Sequence, residues 1–201
     1  MRVWYNTDTK LISKKNMLYT KKGDAGKTNV FGCDQKISKS SAITEALGCL
    51  DEINSYLGVI KCKVKSLSAQ AGYKVVGNEP QKIINRIQND LFIIQAQVAG
   101  ADKKIKKDEV KYIEEIIFDI EKELPEIKSF LISGTNEISA NFDFARALAR
   151  RAERRVVAVG DEGKVEINSQ TLVFMNRLSS LLYAFARQTA IESDKEESPK
   201  Y

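Results

Sequence analysis

The sequence contains no histidine at any of its 201 positions. Hydrolases that use a histidine base, HExxH zinc enzymes and di-iron bundles with Glu-x-x-His pairs all need an imidazole side chain. These classes are therefore excluded for this chain. Any chemistry must use Lys, Arg, Asp, Glu, Asn or hydroxyl side chains, backbone amides, or a bound small molecule.

Long apolar runs and paired cysteines are also scarce. The apolar runs are far shorter than the roughly 20 residues that a transmembrane helix needs, and the N-terminal stretch has no apolar signal-peptide core. The three cysteines, Cys33, Cys49 and Cys62, form no CxxC pair and cannot all be bridged within one chain. We therefore expect a cytoplasmic protein with reduced thiols and no membrane partner.

The charge balance favours an anionic partner. The chain has 32 Lys and Arg against 27 Asp and Glu, a formal net charge of +5, which suits a nucleotide, a phosphate or a nucleic acid. One alternative is a non-catalytic helical module that binds nucleic acid through a broad basic surface, with an affinity that falls steeply with salt. Few aromatic residues alternate with the basic ones, so we do not expect a nucleic-acid partner.

From Ala42 onward, the apolar residues recur with helical spacing. Pro80 suits the first turn of a second helix, Asp108 is a candidate N-cap of a third, and Pro125 is expected to end it. Residues 63–79 are rich in Ser, Gly and Asn and are predicted to form a loop. The apolar positions that predict these three helices are Leu50, Ile53, Leu57 and Ile60; Ile83, Ile87, Leu91, Ile94 and Val98; and Val110, Ile113, Ile117, Ile120 and Leu124.

Two further helices complete the predicted fold. The fourth opens near Thr135 or Asn136 and runs through ARALARRAERRVVAV, and the fifth covers about 165–191. No strand alternation competes with these patterns. The expected architecture is all-α, an up-and-down bundle of about five helices, with an extended N-terminal nucleotide-binding segment lying against them.

We expect a single domain in this chain. The helical domain with its N-terminal segment should cover residues 17–191. The residues at 1–16 and the charged stretch at 192–201 are predicted to be frayed tails.

The first candidate site is YTKKGDAGKT, at 19–28. Its two glycines allow an anion to come close to the backbone of this segment. Its Lys and Thr side chains are hydrogen-bond donors that suit phosphate oxygens. A full Walker motif would need Gly where this chain has Lys21, and a buried strand before it. A P-loop nucleotidase that releases ADP and phosphate therefore stays as an alternative enzyme, and a basic surface turn as the non-functional interpretation.

The second candidate is the arginine-rich fourth helix. Arg146, Arg150 and Arg154 are spaced four apart and share one face, with Glu153 beside Arg150. Each guanidinium group can bind two phosphate oxygens in a bidentate manner, and it stays charged at all relevant pH values. This face therefore suits a triphosphate. The alternative is a solvated face whose arginines pair with acids on neighbouring helices.

Polar residues on two other helices form the remaining candidates. Asn176 lies within the predicted fifth helix, although asparagine is a mediocre helix former. Its position there indicates a specific partner such as a nucleotide or a metal-bound phosphate. Asp51 on the first helix can pair with an arginine within the chain or across a subunit interface. The polar stripe of the fifth helix comprises Asn176, Ser180, Tyr183 and Arg187.

Four motifs follow one another over residues 17–190: YTKKGDAGKT, ALGCLDEINSYLG, ARALARRAERRVV and FMNRLSSLLYAFAR. In this order they resemble the signatures of the ATP:cob(I)alamin adenosyltransferases of the propanediol-utilisation type. The resemblance implies transfer of the 5′-deoxyadenosyl group of ATP to cob(I)alamin, giving adenosylcobalamin and triphosphate. It also implies a homotrimer with active sites at the subunit interfaces. Because Co(I) is the nucleophile, the protein need not supply one.

The resemblance also implies which residues bind ATP. The phosphates would be lined by Thr20, Lys21, Gly23, Thr28 and Lys39. The nucleotide and its Mg²⁺-bound triphosphate would be held by Arg150, Arg151, Glu153 and Asn176. No side-chain ligand of the metal is predicted, because the phosphates would carry Mg²⁺ near Asn176.

On the corrin side, the resemblance implies four catalytic residues. Asp51 and Arg146 match a pair that forms a salt bridge between subunits, and Arg150 would offset charge on the leaving group. Phe130 matches an aromatic residue that occupies the lower corrin face and removes the axial ligand, which lets cobalt be reduced to Co(I). Besides ATP and cob(I)alamin, the implied partners are a cobalamin reductase and a B12-dependent enzyme.

Overall fold

The protein is described from a computed structural model that covers residues 19, 21–30, 36–68, 80–127, 129–191 and 198–199. Its helices are α1 (Ala42–Ser68), α2 (Pro80–Val98), α3 (Lys107–Glu121), α4 (Glu137–Asp161) and α5 (Ser169–Ile191). Two short strands, β1 (Lys27–Asn29) and β2 (Lys36–Ser38), precede them. The predicted all-α bundle of about five helices is confirmed.

The helices pack side by side in the order α2, α1, α4, α5, α3. Consecutive helices of the chain run in opposite directions. Between α1 and α4, for example, Lys63 and Glu52 of α1 pair with Glu137 and Arg151 of α4, in reverse order along the two helices. Helix α3 lies beside α5 in the same direction, since Glu114 pairs with Arg177 and the Ile105 carbonyl accepts from Asn168. The bundle is therefore of the predicted up-and-down type, and α4 lies between α1 and α5.

The core is formed by the apolar face of each helix. Residues three or four apart on α2, such as Ile87, Leu91 and Ile94, are almost fully buried, because only that face meets the neighbouring helix. Between α4 and α5, the rings of Phe142 and Phe185 pack with centroids 5.1 Å apart. The long apolar contact fixes how α4 and α5 lie against each other.

Asparagine side chains cap the two helices that carry most candidate site residues. The Asn136 side chain accepts a hydrogen bond from the Ser139 N–H at 2.8 Å, so α4 begins at one of its two predicted starts. The Asn168 side chain accepts one from the Thr171 N–H, also at 2.8 Å. The fifth helix therefore begins after Asn168, and its predicted start at 165 is wrong.

Three other predicted boundaries are also wrong. The N-cap of α3 is Lys106 rather than Asp108, because the Glu109 carboxylate accepts a hydrogen bond from the Lys106 N–H at 2.9 Å. Helix α3 ends at Glu121, before Pro125 is reached. Helix α1 continues to Ser68, so the loop predicted from 63 does not begin there.

The N-terminal segment contains a small hairpin that the sequence did not predict. Strands β1 and β2 pair antiparallel, with Thr28 opposite Ile37. Strands of three residues are too short to show an alternating pattern. The predicted tail at 1–16, and the one at 192–201 apart from 198–199, lie outside the described residues. Within the described ranges, no helix combines the length and the apolar character needed to cross a membrane.

Candidate active site

A groove runs along the seam between α4 and α5. Its walls are the predicted polar stripe of α4 and three of the four members of the predicted stripe of α5; the fourth, Arg187, is buried and donates to the Pro125 carbonyl at 3.0 Å. Helix α4 contributes Arg146, Arg150 and Arg154, and helix α5 contributes Asn176, Ser180 and Tyr183. The apolar faces of both helices are used in the core, so these polar residues are left on the same side of the seam.

One end of the groove is a cavity of about 430 Å³ that combines cationic and aromatic residues. Arg146 and Arg150 line it together with Tyr183 and Phe130. Phe130 is 78% exposed, so it takes no part in the core of this chain. The cavity has the size of a small-molecule site, with an apolar surface next to positive charge.

Arg146 forms part of the wall of this cavity. Its Nε lies 3.5 Å from Asp143 Oδ1, and its guanidinium lies 5.8 Å from the centre of the Tyr183 ring. Among the described residues, it is Asp143 rather than Asp51 that lies within ion-pair distance of Arg146. Asp51 is exposed on α1.

The other part of the groove is a cavity of about 310 Å³ in which charged residues make up more of the lining. Arg150, Glu153, Arg154 and Asn176 line it, and Arg150 is shared with the first cavity. Asn176 Nδ2 donates a hydrogen bond to Glu153 Oε1 at 3.2 Å, which joins α5 to α4. The predicted nucleotide residues Arg150, Glu153 and Asn176 are therefore brought together.

Two residues next to this cavity were missed by sequence reasoning. Arg177 Nη1 donates to Asn176 Oδ1 at 2.8 Å, and Arg177 Nε donates to Glu114 Oε1 of α3 at 2.9 Å. Arg177 follows Asn176 in the NRLS motif and could have been considered. Glu114 belongs to none of the motifs, and no sequence signal connects it to α5.

Arg151 lies on a different face of α4 from Arg150. It forms an ion pair with Glu52 and so contacts α1 rather than the groove. One step along a helix turns the side chain by about 100°, which separates the two arginines. Within one chain, the structure does not place Arg151 beside the other candidate nucleotide residues.

The glycine-containing segment forms a tight turn against β2. The Gly26 N–H donates to the Gly23 carbonyl at 3.2 Å, and the Lys39 N–H donates to the Gly26 carbonyl at 2.9 Å. Lys21 has a φ of 57°, which is uncommon for a residue with a side chain and is often found at functional sites.

The turn collects most of the predicted phosphate ligands. The Lys39 side chain lies against Gly23, since a Cβ atom at position 23 would be 3.0 Å from its Nζ. Lys21 is exposed, and Thr28 is half-buried in β1. Thr20 lies outside the described residues. The turn thus presents lysine side chains and a glycine backbone in one place, as an anion site requires.

The described residues offer little to a metal ion. They contain no cluster of three or more His, Cys, Asp or Glu side chains that could hold one. In the groove, Glu153 is the carboxylate nearest to Asn176.

Comparisons with known proteins identify the family of the chain. Residues 18–189 match the cobalamin adenosyltransferase family. The corrinoid adenosyltransferase of Bacillus subtilis is 34% identical over 174 residues, which cover 85% of this chain and 84% of that protein. The corrinoid adenosyltransferase PduO of Citrobacter freundii is 33% identical over 177 residues. That match covers 85% of this chain, and the chain spans about half of that relative, 49% of its length.

A solved structure shows the same fold with ligands. It is a variant PduO-type ATP:corrinoid adenosyltransferase from Lactobacillus reuteri, complexed with cobalamin and ATP. The TM-score is 0.76 at 26% sequence identity, and the match covers 92% of this chain and 96% of that one.

Proposed function

The chain belongs to the cobalamin adenosyltransferase family, and from that premise we propose that it transfers the 5′-deoxyadenosyl group of ATP to cob(I)alamin. The lone pair of Co(I) attacks C5′ of ATP and a cobalt–carbon bond forms. The bond between C5′ and its phosphate oxygen breaks, and triphosphate leaves with that electron pair. The products are adenosylcobalamin and triphosphate, and the transfer itself needs no oxidant or reductant.

The observation that carries this proposal is the pairing of two cavities along one groove. The first has the exposed ring of Phe130 next to Arg146, and suits the flat apolar face of a corrin. The second has Arg154 and Asn176, and suits phosphates. Arg150 lines both. A group that passes from a triphosphate to a corrin must lie where the two sites meet, and Arg150 is at that position.

We assign the catalytic roles accordingly. Arg150 stabilises the negative charge that develops on the triphosphate as C5′ is attacked, which is where a fixed positive charge lowers the barrier. Phe130 covers the lower corrin face and keeps the axial ligand away, so that Co(I) can form. Arg146 orients the corrin from the cavity wall, together with Asp51 of a neighbouring subunit.

ATP is held from two directions. The phosphates contact the turn through Lys21, Gly23, Thr28 and Lys39, together with Thr20, and contact the groove through Arg150 and Asn176, with Glu153 beside them. Arg151 pairs with Glu52 on another face of α4 and takes no part in this groove. ATP enters as its Mg²⁺ complex, and the ion neutralises part of the phosphate charge when bound. Glu153 and Asn176 would offer that ion oxygen ligands from the groove.

We propose that the enzyme is a homotrimer in which the turn of one subunit closes on the groove of the next. Exposed apolar side chains on α1 and α4 support a subunit contact there. Val59 is 46% exposed and Phe144 is 53% exposed, and the Phe144 ring packs edge-on against Tyr56 with centroids 5.0 Å apart. Asp51, exposed on α1, then reaches Arg146 of a neighbouring subunit.

The cellular setting follows from the chemistry of cobalt. Co(I) is a strong reductant, so a cobalamin reductase should supply it and a B12-dependent enzyme should receive the product. Cys49 is a buried free thiol, which suits a reducing compartment such as the cytoplasm. The catalytic domain is proposed to span residues 17–191.

The test is to identify the phosphate product when the protein is mixed with Mg-ATP and chemically reduced cobalamin. Phosphorus NMR should show triphosphate formed in equal amount to alkylcobalamin. A P-loop nucleotidase would instead give ADP and phosphate with or without cobalamin. A nucleic-acid-binding module would leave ATP unchanged. Either of these results would reject the transferase.

A further inference from the structure

Two partners of opposite chemistry fix the orientation of the Asn176 side-chain amide. A carboxylate only accepts hydrogen bonds, whereas a guanidinium only donates them. Nδ2 of Asn176 donates to Glu153 Oε1 at 3.2 Å, and its Oδ1 accepts from Arg177 Nη1 at 2.8 Å. A flipped amide would set its NH₂ group against Arg177 and its oxygen against Glu153. Only one orientation of the amide satisfies both neighbours.

Arg177 is itself held from a third helix. Its Nε donates to Glu114 Oε1 at 2.9 Å, so one planar guanidinium bonds two residues at once. A series of hydrogen bonds therefore runs from α3 through α5 to Glu153 on α4. The described lining of the two groove cavities includes no residue of α3. Glu114 thus acts on the groove only through Arg177.

The exposure of this ion pair argues against a mainly structural role. The side chain of Arg177 is 40% exposed and that of Glu114 is 46% exposed. Water screens such pairs, and fixing two long side chains costs entropy, so they contribute little to stability. The pair does restrict the Arg177 guanidinium to one position, and with it the amide of Asn176.

We propose that Glu114 and Arg177 are positioning residues for ATP. They keep the Asn176 amide in the single orientation in which its remaining N–H and its remaining oxygen lone pair are presented to the nucleotide. This inference rests on the proposed function, in which Asn176 contacts ATP. Neither Glu114 nor Arg177 touches the reacting atoms.

The first test compares two neighbouring acids on α3. Glu114→Ala releases Arg177 and should raise the KM for ATP roughly tenfold, as expected when a charge-assisted hydrogen bond no longer holds a ligand contact. The KM for cob(I)alamin should not change. Glu115→Ala is the matched control, because Glu115 pairs with Lys111 at 3.5 Å on the same helix. It should leave both KM values unchanged.

The second test asks whether the pair orients the Asn176 amide or only links α3 to α5 as a structural brace. Glu114→Arg combined with Arg177→Glu restores an ion pair between α3 and α5. A carboxylate at position 177 cannot donate to Asn176 Oδ1, and it competes with Glu153 for Nδ2. The melting temperature of the double variant should therefore stay close to the wild-type value while the KM for ATP stays raised. Recovery of the wild-type KM would show that the pair is only a brace, and the inference would be wrong.

Binding of Mg-ATP, measured by equilibrium dialysis without cobalamin, distinguishes this inference from the proposed function. The Kd of Glu114→Ala should be raised by the same factor as its KM. An unchanged Kd would overturn the positioning role while leaving the transferase intact. A raised Kd in a protein whose wild type forms no alkylcobalamin would support the positioning role and reject the transferase.

Discussion

Lys39 lies so close to Gly23 that a Cβ atom at position 23 would be 3.0 Å from the Lys39 ammonium nitrogen and 3.1 Å from its Cε. Contacts between 3.0 and 3.4 Å are tighter than most real Cβ contacts, so a residue with a side chain at position 23 must shift the end of the lysine by a few tenths of an ångström. The turn and the segment between β2 and α1 are therefore coupled. Any role of Lys39 in holding phosphate depends on glycine at position 23.

Gly23→Ala should weaken ATP binding by displacing Lys39. We expect the Kd for Mg-ATP to rise about fivefold, the effect of losing about 1 kcal/mol from one charge-assisted contact. The melting temperature should barely change, because the atoms that must move belong to the far end of a flexible side chain. In a Lys39→Ala background, Gly23→Ala should have no further effect. Fully additive effects would mean that Gly23 acts by another route.

Arg150→Ala should remove most activity without disturbing assembly. The loss of a charge aimed at the leaving group is expected to lower kcat by about 10²- to 10³-fold. Sedimentation should still show a trimer, because Arg150 is exposed in the groove. Arg155→Ala, on an exposed position of the same helix, is the control and should keep full activity. Equal losses in both variants would mean that general charge, and not position, matters.

Mixing two defective variants tests whether a site is shared between subunits. Arg150→Ala subunits keep an intact turn, and Lys39→Ala subunits keep an intact groove. After unfolding and refolding together, mixed trimers should recover activity that neither variant has alone at low ATP. No recovery in trimers that are shown by mass spectrometry to be mixed would place the whole site within one chain.

Phe130→Ala should affect cobalamin and leave folding unchanged. Since the side chain is 78% exposed, its removal should shift the free energy of unfolding by no more than about 0.5 kcal/mol. The absorption change that accompanies loss of the axial ligand from bound cob(II)alamin should disappear. A large loss of stability with an unchanged spectrum would contradict the assignment.

Asp90 should make stability depend on pH. Burial raises its pKa from an ordinary 3.8 to about 6, opposed by the Arg86 guanidinium and assisted by Glu109. Its Oδ2 is buried without a hydrogen-bond partner in the described structure. Because the folded pKa is raised, the fold is favoured by the protonated acid. That stabilisation is complete below the unfolded pKa of 3.8 and is lost as the pH rises through about 6.

Asp90→Asn removes this dependence. Its advantage in the free energy of unfolding over the wild type should grow between pH 4 and pH 7.5 to about 3 kcal/mol, as a shift of this size implies. Glu115→Gln, at an exposed acid, is the control and should show no such trend. A constant difference between Asp90→Asn and wild type across this range would show that the acid is not perturbed.

The helices could be predicted because each has a continuous apolar face, as Ile87, Leu91 and Ile94 show. The start of α4 was predicted at Thr135 or Asn136, because a capping side chain acts within a few residues of sequence, and Asn136 is the cap. Asp108 was wrongly predicted as the N-cap of α3. Asp108 and Glu109 are neighbouring acids that could both bond the first backbone N–H groups, and it is Glu109 that accepts from the Lys106 N–H. The strands were missed because three residues carry no measurable period.

The site was only partly predictable for a related reason. Spacing placed Arg146, Arg150 and Arg154 on one face of α4, but it could not show that Asn176 faces them across the seam. The Glu114–Arg177 pair joins residues on different helices, and nothing in either local sequence indicates it. Arg151 was predicted to bind the nucleotide with Arg150 because the two are adjacent in one motif. Adjacent residues of a helix point in different directions, and Arg151 pairs with Glu52 of α1.

The most direct measurement of the central claim uses ATP labelled with ¹³C at C5′. The protein, Mg-ATP and chemically reduced cobalamin are mixed without oxygen, and the corrinoid is examined by carbon NMR before and after light. The account predicts that the label is attached to cobalt in a light-sensitive alkylcobalamin. If the label stays in ATP, ADP or AMP while the wild-type protein is folded and binds Mg-ATP, the protein is not an adenosyltransferase.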